Sequence, residues 1–378
     1  MKHNRVARLS GCPLADILAT ALLITLCVGC PLATPAPSDG GDDTGNTNVG
    51  LDTSSNSSLQ NAATLPLDST GQLQFTGMID RPGDIDVYEI GTLSPGDRVF
   101  AGVARLNGDL DAVAAIFDHR EYLVAFNDDR TPDASNLNPL IDIVIRGEVG
   151  LYYLAIIAYP DSNTYGQYQA TVRVQREVGE PPPQPQTLYL NWAGGTNIEV
   201  PNVGIFDLPP FSATDVGFPA SLSKRLKQRV QEIVRDRYAD YALNVLSSDE
   251  TLHPPEPHST VYFGGADAMA FAISQQIDTF NKDATDRAII FTNGFVGAFS
   301  QTPSLEQMAQ AIGNTVAHEV GHLLGLVHTS DCSDLMDTSC TNNRLLAPQE
   351  FSTAPIDQSV FPFGMQPETD ILSWLIGF

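Results

Sequence analysis

One stretch of the chain decides how its second half folds: His318-Glu319-Val320-Gly321-His322-Leu323-Leu324-Gly325-Leu326-Val327-His328. His318 and His322 are four residues apart, so that on a helix both imidazoles project from one face, one turn above the other. Gly325 can take a left-handed backbone and end that helix. The chain can then turn back and bring His328 towards the other two imidazoles.

Three neutral imidazoles in this arrangement can hold Zn²⁺ at about 2.0–2.1 Å and leave its fourth position to water, as in a catalytic zinc site. Zinc lowers the pKa of such a water towards about 7 and polarises a carbonyl, while a nearby carboxylate takes and returns the proton. Glu319, three residues before His322, suits that role. The alternative is a buried helix whose histidines only make hydrogen bonds.

This stretch resembles the metzincin metalloproteases, whose extended signature is H-E-x-x-H-x-x-G-x-x-H followed by a methionine turn. The candidate turn is Ser333-Asp334-Leu335-Met336-Asp337, and its distance from His328 is similar to that in the matrixin branch. The resemblance implies an α/β zinc endopeptidase domain in which Met336 packs beneath the metal as an apolar floor. Thr329 stands where the named branches carry Ser, Asp or Glu, so the branch stays open.

The charge of the chain limits its partners. The sequence has 378 residues, 20 basic and 45 acidic, for a formal charge of −25. Because phosphates need a basic surface, we do not expect a nucleic-acid partner. An excess of negative charge fits a secreted protein that self-repulsion keeps soluble.

The first 29 residues have the features of an export signal. Lys2, Arg5 and Arg8 precede an apolar run at 17–28 that is short for a membrane helix. The run ends at Gly29-Cys30 and resembles a bacterial lipoprotein signal, which implies lipidation of Cys30 and anchoring to a membrane of the cell envelope or cell surface. Ordinary signal cleavage and an uncleaved anchor are the alternatives. Residues 30–58, rich in small and polar residues, predict a flexible tether.

Cysteine usage points to a disulfide near the methionine turn. Removal of residues 1–29 deletes Cys12 and Cys27, and lipidation uses Cys30, which leaves Cys332 and Cys340 as a pair. In an oxidising compartment such a pair can form a disulfide, and these two residues flank Met336 symmetrically. We expect a disulfide that fixes the floor of the site, with two free thiols as the alternative.

Residues 59–178 predict an antiparallel β-sandwich. Turn signals separate short runs in which apolar and polar residues alternate. These runs lie at 72–77, 86–90, 98–106, 112–117, 140–145, 150–159 and 167–174. The segments at 77–80, 82–88, 127–129 and 150–155 together resemble the bacterial pre-peptidase C-terminal domain, which implies a module for export or binding without catalytic residues. Ca²⁺ could bind oxygens of Asp84, Asp86, Asn127, Asp128 and Asp129, but turn capping is the favoured interpretation.

Residues 179–186 form a proline-rich linker, and residues 187–378 predict the catalytic domain. We expect strands at 187–192, 242–246, 260–263 and 287–292, helices at 221–241, 266–280 and 370–378, and the histidine helix from about Ser304, with Gln307 in the capping-box position. The fold class is therefore multi-domain: an antiparallel β-sandwich followed by an α/β, metzincin-like zincin domain.

Together these observations predict an exported zinc-dependent endopeptidase that acts on protein or peptide substrates through a metal-bound water, with Glu319 as general base. One alternative is a non-enzymatic surface adhesin or binding lipoprotein with a vestigial zinc site. Another is a zinc hydrolase acting on a non-peptide bond.

Overall fold

The computed structural model describes residues 8–10, 56–131, 135–201, 203–267 and 269–378. Over these residues the chain is rich in β-structure, with several sheets and few helices. The first element is a three-residue strand, β1 (Arg8–Ser10).

Two sheets occupy the first half of the described chain. Their strands are β2 (Ala63–Thr64), β3 (Gln72–Ile79), β4 (Ile85–Leu93), β5 (Arg98–Arg105), β6 (Ala112–Asp118), β7 (Leu123–Asn127), β8 (Leu140–Val144), β9 (Gly150–Ala158) and β10 (Gly166–Gln175). One sheet has the order β2-β4-β9-β6-β7 and the other β3-β10-β5-β8, and every pair except β2–β4 is antiparallel. All seven expected strands are present, and β2 and β7 were not expected.

The inner faces of these two sheets enclose one apolar core. In β10 every second residue from Tyr168 to Val174 is buried, as expected for a strand with one face in the core. β6 is different, because all seven of its residues are buried. Ala114 and Ile116 face the core of the sandwich, whereas Val113, Ala115 and Phe117 belong to a second cluster. The outer face of the five-stranded sheet is therefore covered.

The second half of the chain is built on a sheet of order β16-β17-β15-β11-β14, and β1, from the segment predicted as an export signal, pairs with its β16 edge as a sixth strand. The elements from β11 onwards are β11 (Gln186–Asn191), β12 (Gly195–Val200), β13 (Gly204–Leu208), α1 (Ser223–Arg237), β14 (Leu243–Ser247), β15 (Ser259–Phe263), β16 (Ala270–Ser274), β17 (Arg287–Ile290), α2 (Leu305–Leu323), β18 (Thr353–Pro355), β19 (Met365–Pro367) and α3 (Glu368–Ile376). The strands from β17 to β14 are parallel neighbours, and β16 and β1 run antiparallel to theirs.

Apolar layers cover both faces of this sheet. α1 and α2 share one large core with it, in which Gly313 of α2 lies so close to Ile233 of α1 that an added Cβ would be 2.6 Å from Cγ2 of Ile233. The hairpin β12–β13 covers the opposite face, where Ile198 clusters with Ile273 and Ile289. The histidine helix thus packs against both α1 and the sheet.

The helix expected at 266–280 is wrong, because the structure has the strand β16 at Ala270–Ser274 followed by irregular chain. The alanine content of this stretch favours a helix by local propensity alone. All five residues of β16 are buried, and the strand pairs with β17 at Ala272, Ile273 and Ser274. Tertiary burial on both faces therefore overrides the local preference.

Candidate metal centre

The histidine helix begins as the sequence predicts. Ser304 is the N-cap of α2, and its hydroxyl accepts a hydrogen bond from the Gln307 amide while the Gln307 side chain accepts one from the Ser304 amide. These two bonds form a capping box, which satisfies amides that have no partner within the helix. The expected capping box is confirmed.

The helix ends at the glycine that the spacing singles out. Gly325 has a φ of +87°, and its amide donates to the carbonyl of His322. The amide of Leu326 donates to the carbonyl of Gly321, which completes the pair of hydrogen bonds known as a Schellman motif. A Cβ at residue 325 would also be 2.8 Å from the carbonyl oxygen of Asp278. Gly325 therefore turns the chain sharply enough to bring His328 back beneath the helix.

The three imidazoles meet at one place. The ring centroids of His318 and His322 are 4.7 Å apart, those of His322 and His328 4.7 Å, and those of His318 and His328 5.3 Å. One nitrogen from each ring lies within 4.8 Å of the others. His318 and His322 are buried, and His328 keeps a partly exposed edge. The structure therefore brings together all three predicted ligands.

Hydrogen bonds to backbone carbonyls fix the orientation of two rings. Nδ1 of His318 lies 2.9 Å from the Leu335 oxygen, and Nδ1 of His322 lies 2.8 Å from the Leu326 oxygen. Because a carbonyl only accepts, each Nδ1 carries the proton and each Nε2 carries a free lone pair. This is the arrangement in which histidine binds a metal through Nε2.

The chemistry of these nitrogens fits a zinc ion. Nε2 of His318 is buried and has no hydrogen-bond partner, and Nε2 of His322 and His328 are 3.0 Å apart. Ligand nitrogens on a tetrahedral zinc at about 2.0–2.1 Å are about 3.3 Å apart, close to this separation. Burial lowers the pKa of His318 to about 4 and, with His318 nearby, the pKa of His328 to about 3. The rings therefore remain neutral at pH 7, as metal ligands must.

Glu319 is fully buried beside these histidines. Neither of its carboxylate oxygens has a hydrogen-bond partner. Burial raises the pKa of Glu319 well above its usual value, and the hydroxyl and amide of Ser274 on β16, which lie near the carboxylate but outside hydrogen-bonding geometry, oppose that rise. A buried carboxyl without partners is costly, so its place here needs a chemical reason.

Met336 lies against the histidine helix, where a Cβ added at Gly321 would be 2.5 Å from its sulfur. It is fully buried, and its amide donates to Asp334 while its carbonyl accepts from the amide of Thr329. Cys332 and Cys340 form a disulfide with Cα atoms 5.6 Å apart, which closes the loop around Met336. The sulfurs also lie near a carboxylate oxygen of Asp337, but a disulfide leaves no thiolate to bind a metal.

A buried polar network behind the site was not expected from the sequence. Asp334 accepts hydrogen bonds from the hydroxyls of Thr329 and Ser352, and Glu368 accepts from Gln366 and from the Ser352 amide. Burial, followed by the neighbouring Asp334, raises the pKa of Glu368 well above its usual value. Thr329, which stands where the named metzincin branches carry Ser, Asp or Glu, thus has a structural role. Its hydroxyl connects the loop that carries His328 to Asp334.

The structure gives no support to the Ca²⁺ alternative at the turns of the sandwich. Asp84 accepts from the Asp80 amide, Asp128 accepts from the Asp129 amide, and Asn127 accepts from the Leu140 amide. These are the backbone bonds that the turn-capping interpretation predicts. Asp86 is buried in the sandwich, where it accepts from the Tyr168 hydroxyl. Over the described residues these side chains form no group suited to a metal.

Several predictions concern residues that the structure does not describe. Cys30, most of the signal at 1–29 and most of the tether at 30–58 lie outside the described residues. Within the described residues, no helix combines the length and apolar character needed to cross a membrane.

Comparisons with known proteins give weak likenesses. The chain matches no family model and no curated protein. Among solved structures, the pre-peptidase C-terminal domain of a collagenase from Bacillus anthracis is 14% identical, covering 35% of this chain and 100% of that one, with a TM-score of 0.22.

Two solved zinc peptidases are also among the matches. An archaemetzincin from Methanopyrus kandleri is 12% identical, covering 44% of this chain and 89% of its own, with a TM-score of 0.26. A zinc-dependent peptidase from Methanocorpusculum labreanum is 12% identical, covering 43% and 95%, with a TM-score of 0.25. At these scores neither likeness indicates a function for this chain.

Proposed function

We propose that this chain is an exported zinc-dependent endopeptidase whose metzincin-like domain, residues 187–378, follows a β-sandwich at residues 59–178. One observation carries the proposal: one nitrogen from each of three imidazoles converges at one place, and the carboxylate of Glu319, the residue after His318, is buried without a hydrogen-bond partner. A structural zinc site usually fills its fourth position with a protein ligand and has no need of a carboxylate like Glu319.

His318, His322 and His328 would hold the metal through Nε2. Zinc, when bound, acidifies a water and polarises the carbonyl that the water attacks. The chain supplies the rest. The carbonyl oxygens of Leu335 and Leu326 keep two rings in the correct tautomer, and Met336 closes the space beneath them.

Glu319 would act as the general base. Its carboxylate takes a proton from the attacking water and returns it to the leaving amine. Burial favours the protonated form of Glu319, so the residue can hold a proton between these two transfers. A bound Zn²⁺ would favour its ionisation beforehand. The buried, unpartnered state of Glu319 argues against the adhesin alternative, because a vestigial site gains nothing from it.

The proposal also includes export of the protein and its anchoring by a lipid. The basic start, the short apolar run and Cys30 support a lipid-anchored protein of the bacterial cell envelope, with protein or peptide substrates outside the cell. A disulfide between Cys332 and Cys340 fits an oxidising compartment. Mass spectrometry of the protein purified from membranes would test the anchor, since lipidation requires a mature chain that begins at Cys30.

The activity is tested with the full chain and a library of internally quenched peptides. We expect cleavage within the peptides, its loss after dialysis against a chelator, and its return on adding Zn²⁺. Matched ester substrates examine the alternative of a non-peptide hydrolase. Zinc binding in a 1:1 ratio without peptide cleavage would reject the proposed function, and cleavage of esters alone would support the alternative.

A further inference from the structure

The loop that carries His328 is held from outside the histidine helix. Gln366 of β19 accepts a hydrogen bond from the amide of Val327 at 2.7 Å and donates one to the carbonyl of Val327 at 2.8 Å. Both bonds are buried, and Val327 is the residue directly before the third predicted ligand. Gln366 therefore holds the backbone of Val327 through both its amide and its carbonyl.

The chain around β18 and β19 also holds the residues that follow Val327. The amide of Asp357 donates to the carbonyl of His328 at 2.9 Å, and the amide of Ser330 donates to the carbonyl of Pro355 at 2.9 Å. Within the described chain, the ring of His328 has no carbonyl partner, and its Nε2 lies 3.0 Å from Nε2 of His322. His318 and His322 have carbonyl partners at Nδ1, so the third ring depends more than they do on its backbone.

The β-sandwich in turn holds this segment. Tyr122, next to β7, forms a β-bridge with Met365 of β19, and the amide of Met365 donates to the carbonyl of Glu121. The hairpin β18–β19 thereby continues the edge of the five-stranded sheet. A polar connection runs from the edge of the sandwich through β19 and Gln366 to the His328 loop.

Aromatic packing reinforces the connection. Phe117 of β6 points out of the sandwich, and its ring centroid is 5.3 Å from that of Phe361 and 4.9 Å from that of Phe363. It also lies against Gly364, where an added Cβ would be 2.5 Å from Cε1 of Phe117. Val327 is a member of the same apolar cluster.

We propose that Gln366 is a positioning residue for the third metal ligand and that the β-sandwich, through Tyr122 and Phe117, holds Gln366 in place. The proposal rests on the proposed zinc site. It makes the sandwich a part of the metal centre's support, beyond any role in export or binding. Groups that orient metal ligands in this way typically change metal affinity by about 10- to 100-fold when they are removed.

Two variants of the full chain test this, each with a matched control. Gln366→Leu removes both bonds to Val327, and Gln231→Leu removes a buried glutamine of α1 that bonds to Glu250. Phe117→Leu weakens the outward contact, and Phe75→Leu makes the same change inside the sandwich core. The readouts are the zinc dissociation constant, by chelator competition, and the visible spectrum of the Co²⁺-loaded protein.

We expect Gln366→Leu and Phe117→Leu to raise the zinc dissociation constant about tenfold or more and to change the cobalt spectrum. Both controls should keep the wild-type values. Circular dichroism establishes folding, and if Gln366→Leu does not fold, Phe117→Leu decides. Wild-type zinc affinity and spectrum in Gln366→Leu would overturn the role of that residue, and the same result in Phe117→Leu would overturn the role of the sandwich. Neither readout uses a peptide, so a failure of the proposed endopeptidase activity is distinguishable.

Discussion

The Sδ atom of Met336 lies where the side chain of residue 321 would begin. A Cβ added at Gly321 would be 2.5 Å from this sulfur and 3.1 Å from Cε of Met336. A glycine within a helix costs about 1 kcal/mol relative to alanine. Because Gly321 has no side chain, Met336 can reach the helix backbone between His318 and His322. The glycine and the methionine beneath the helix therefore depend on each other.

Gly321→Ala should therefore weaken the site as well as the fold. The new methyl group must displace a fully buried side chain, for which overpacking costs of about 1–3 kcal/mol are usual. We expect a lower urea midpoint and a higher zinc dissociation constant. Gly294→Ala is the control, because a Cβ there would meet nothing closer than 3.5 Å. A Gly321→Ala protein with unchanged stability would show that Met336 is free to move.

Glu319→Gln should separate chemistry from metal binding. The amide keeps the size of the side chain but cannot take a proton, so we expect cleavage to fall by about 10²- to 10⁴-fold while zinc content stays at one per chain. Glu306→Gln, on the exposed first turn of the same helix, serves as the control and should keep full activity. Substantial cleavage by Glu319→Gln would assign the base to another residue.

The sequence predicts the cluster of three histidines well because their spacing is local. The spacing of His318, His322 and His328 is set by one helix and one glycine, and both follow from rules that act over a few residues. Leu326 and Leu335, whose carbonyls orient the rings, could not be predicted, because a backbone acceptor leaves no mark in the sequence.

The other features of the fold could not be predicted fully, because they depend on contacts between distant segments of the chain. The run at 112–117 has no polar residue at any position, which is the signature of a strand buried on both faces. That pattern could have revealed the covered outer face of the sandwich. The identity of the covering residues, Val327 and Phe361 among them, depends on chain segments more than two hundred positions away. The strand β16 shows the same limit, since its pairing with β17 outweighed its helical composition.

Removing the disulfide should loosen the floor of the site. In the chain-entropy estimate, a cross-link across a loop of this length stabilises a protein by about 2–3 kcal/mol. We expect the Cys332→Ser, Cys340→Ser double variant to unfold at lower urea concentration and to bind zinc more weakly. The wild-type protein should gain two mass units on reduction, measured by intact mass spectrometry. Unchanged mass, or two thiols that react without reductant, would contradict the disulfide.

Asp286 gives a prediction on pH that is independent of the metal ligands. It is fully buried at the start of β17, where one oxygen accepts from the Ser259 hydroxyl at 2.6 Å and the other has no partner. Burial, with Asp278 and Asp283 nearby, raises its pKa to about 8 from the ordinary 3.8. Between these two values the folded state binds more protons than the unfolded state, so Asp286 makes the protein less stable as the pH rises.

Asp286→Asn should therefore stabilise the protein, because asparagine resembles the protonated acid and stays neutral when the chain unfolds. We expect its gain in the free energy of unfolding to grow by about 1.4 kcal/mol per pH unit from pH 5.5 towards pH 8. Urea titrations of the zinc-saturated chain measure this. The control is Asp68→Asn, since the hydroxyl and amide of Thr70 and the Gln72 amide lower the pKa of this exposed residue. Asp68 is ionised in both states over this range, so its substitution should shift stability by a constant amount. An Asp286→Asn protein that is less stable at every pH would mean that the buried carboxyl is ionised and has a partner cation.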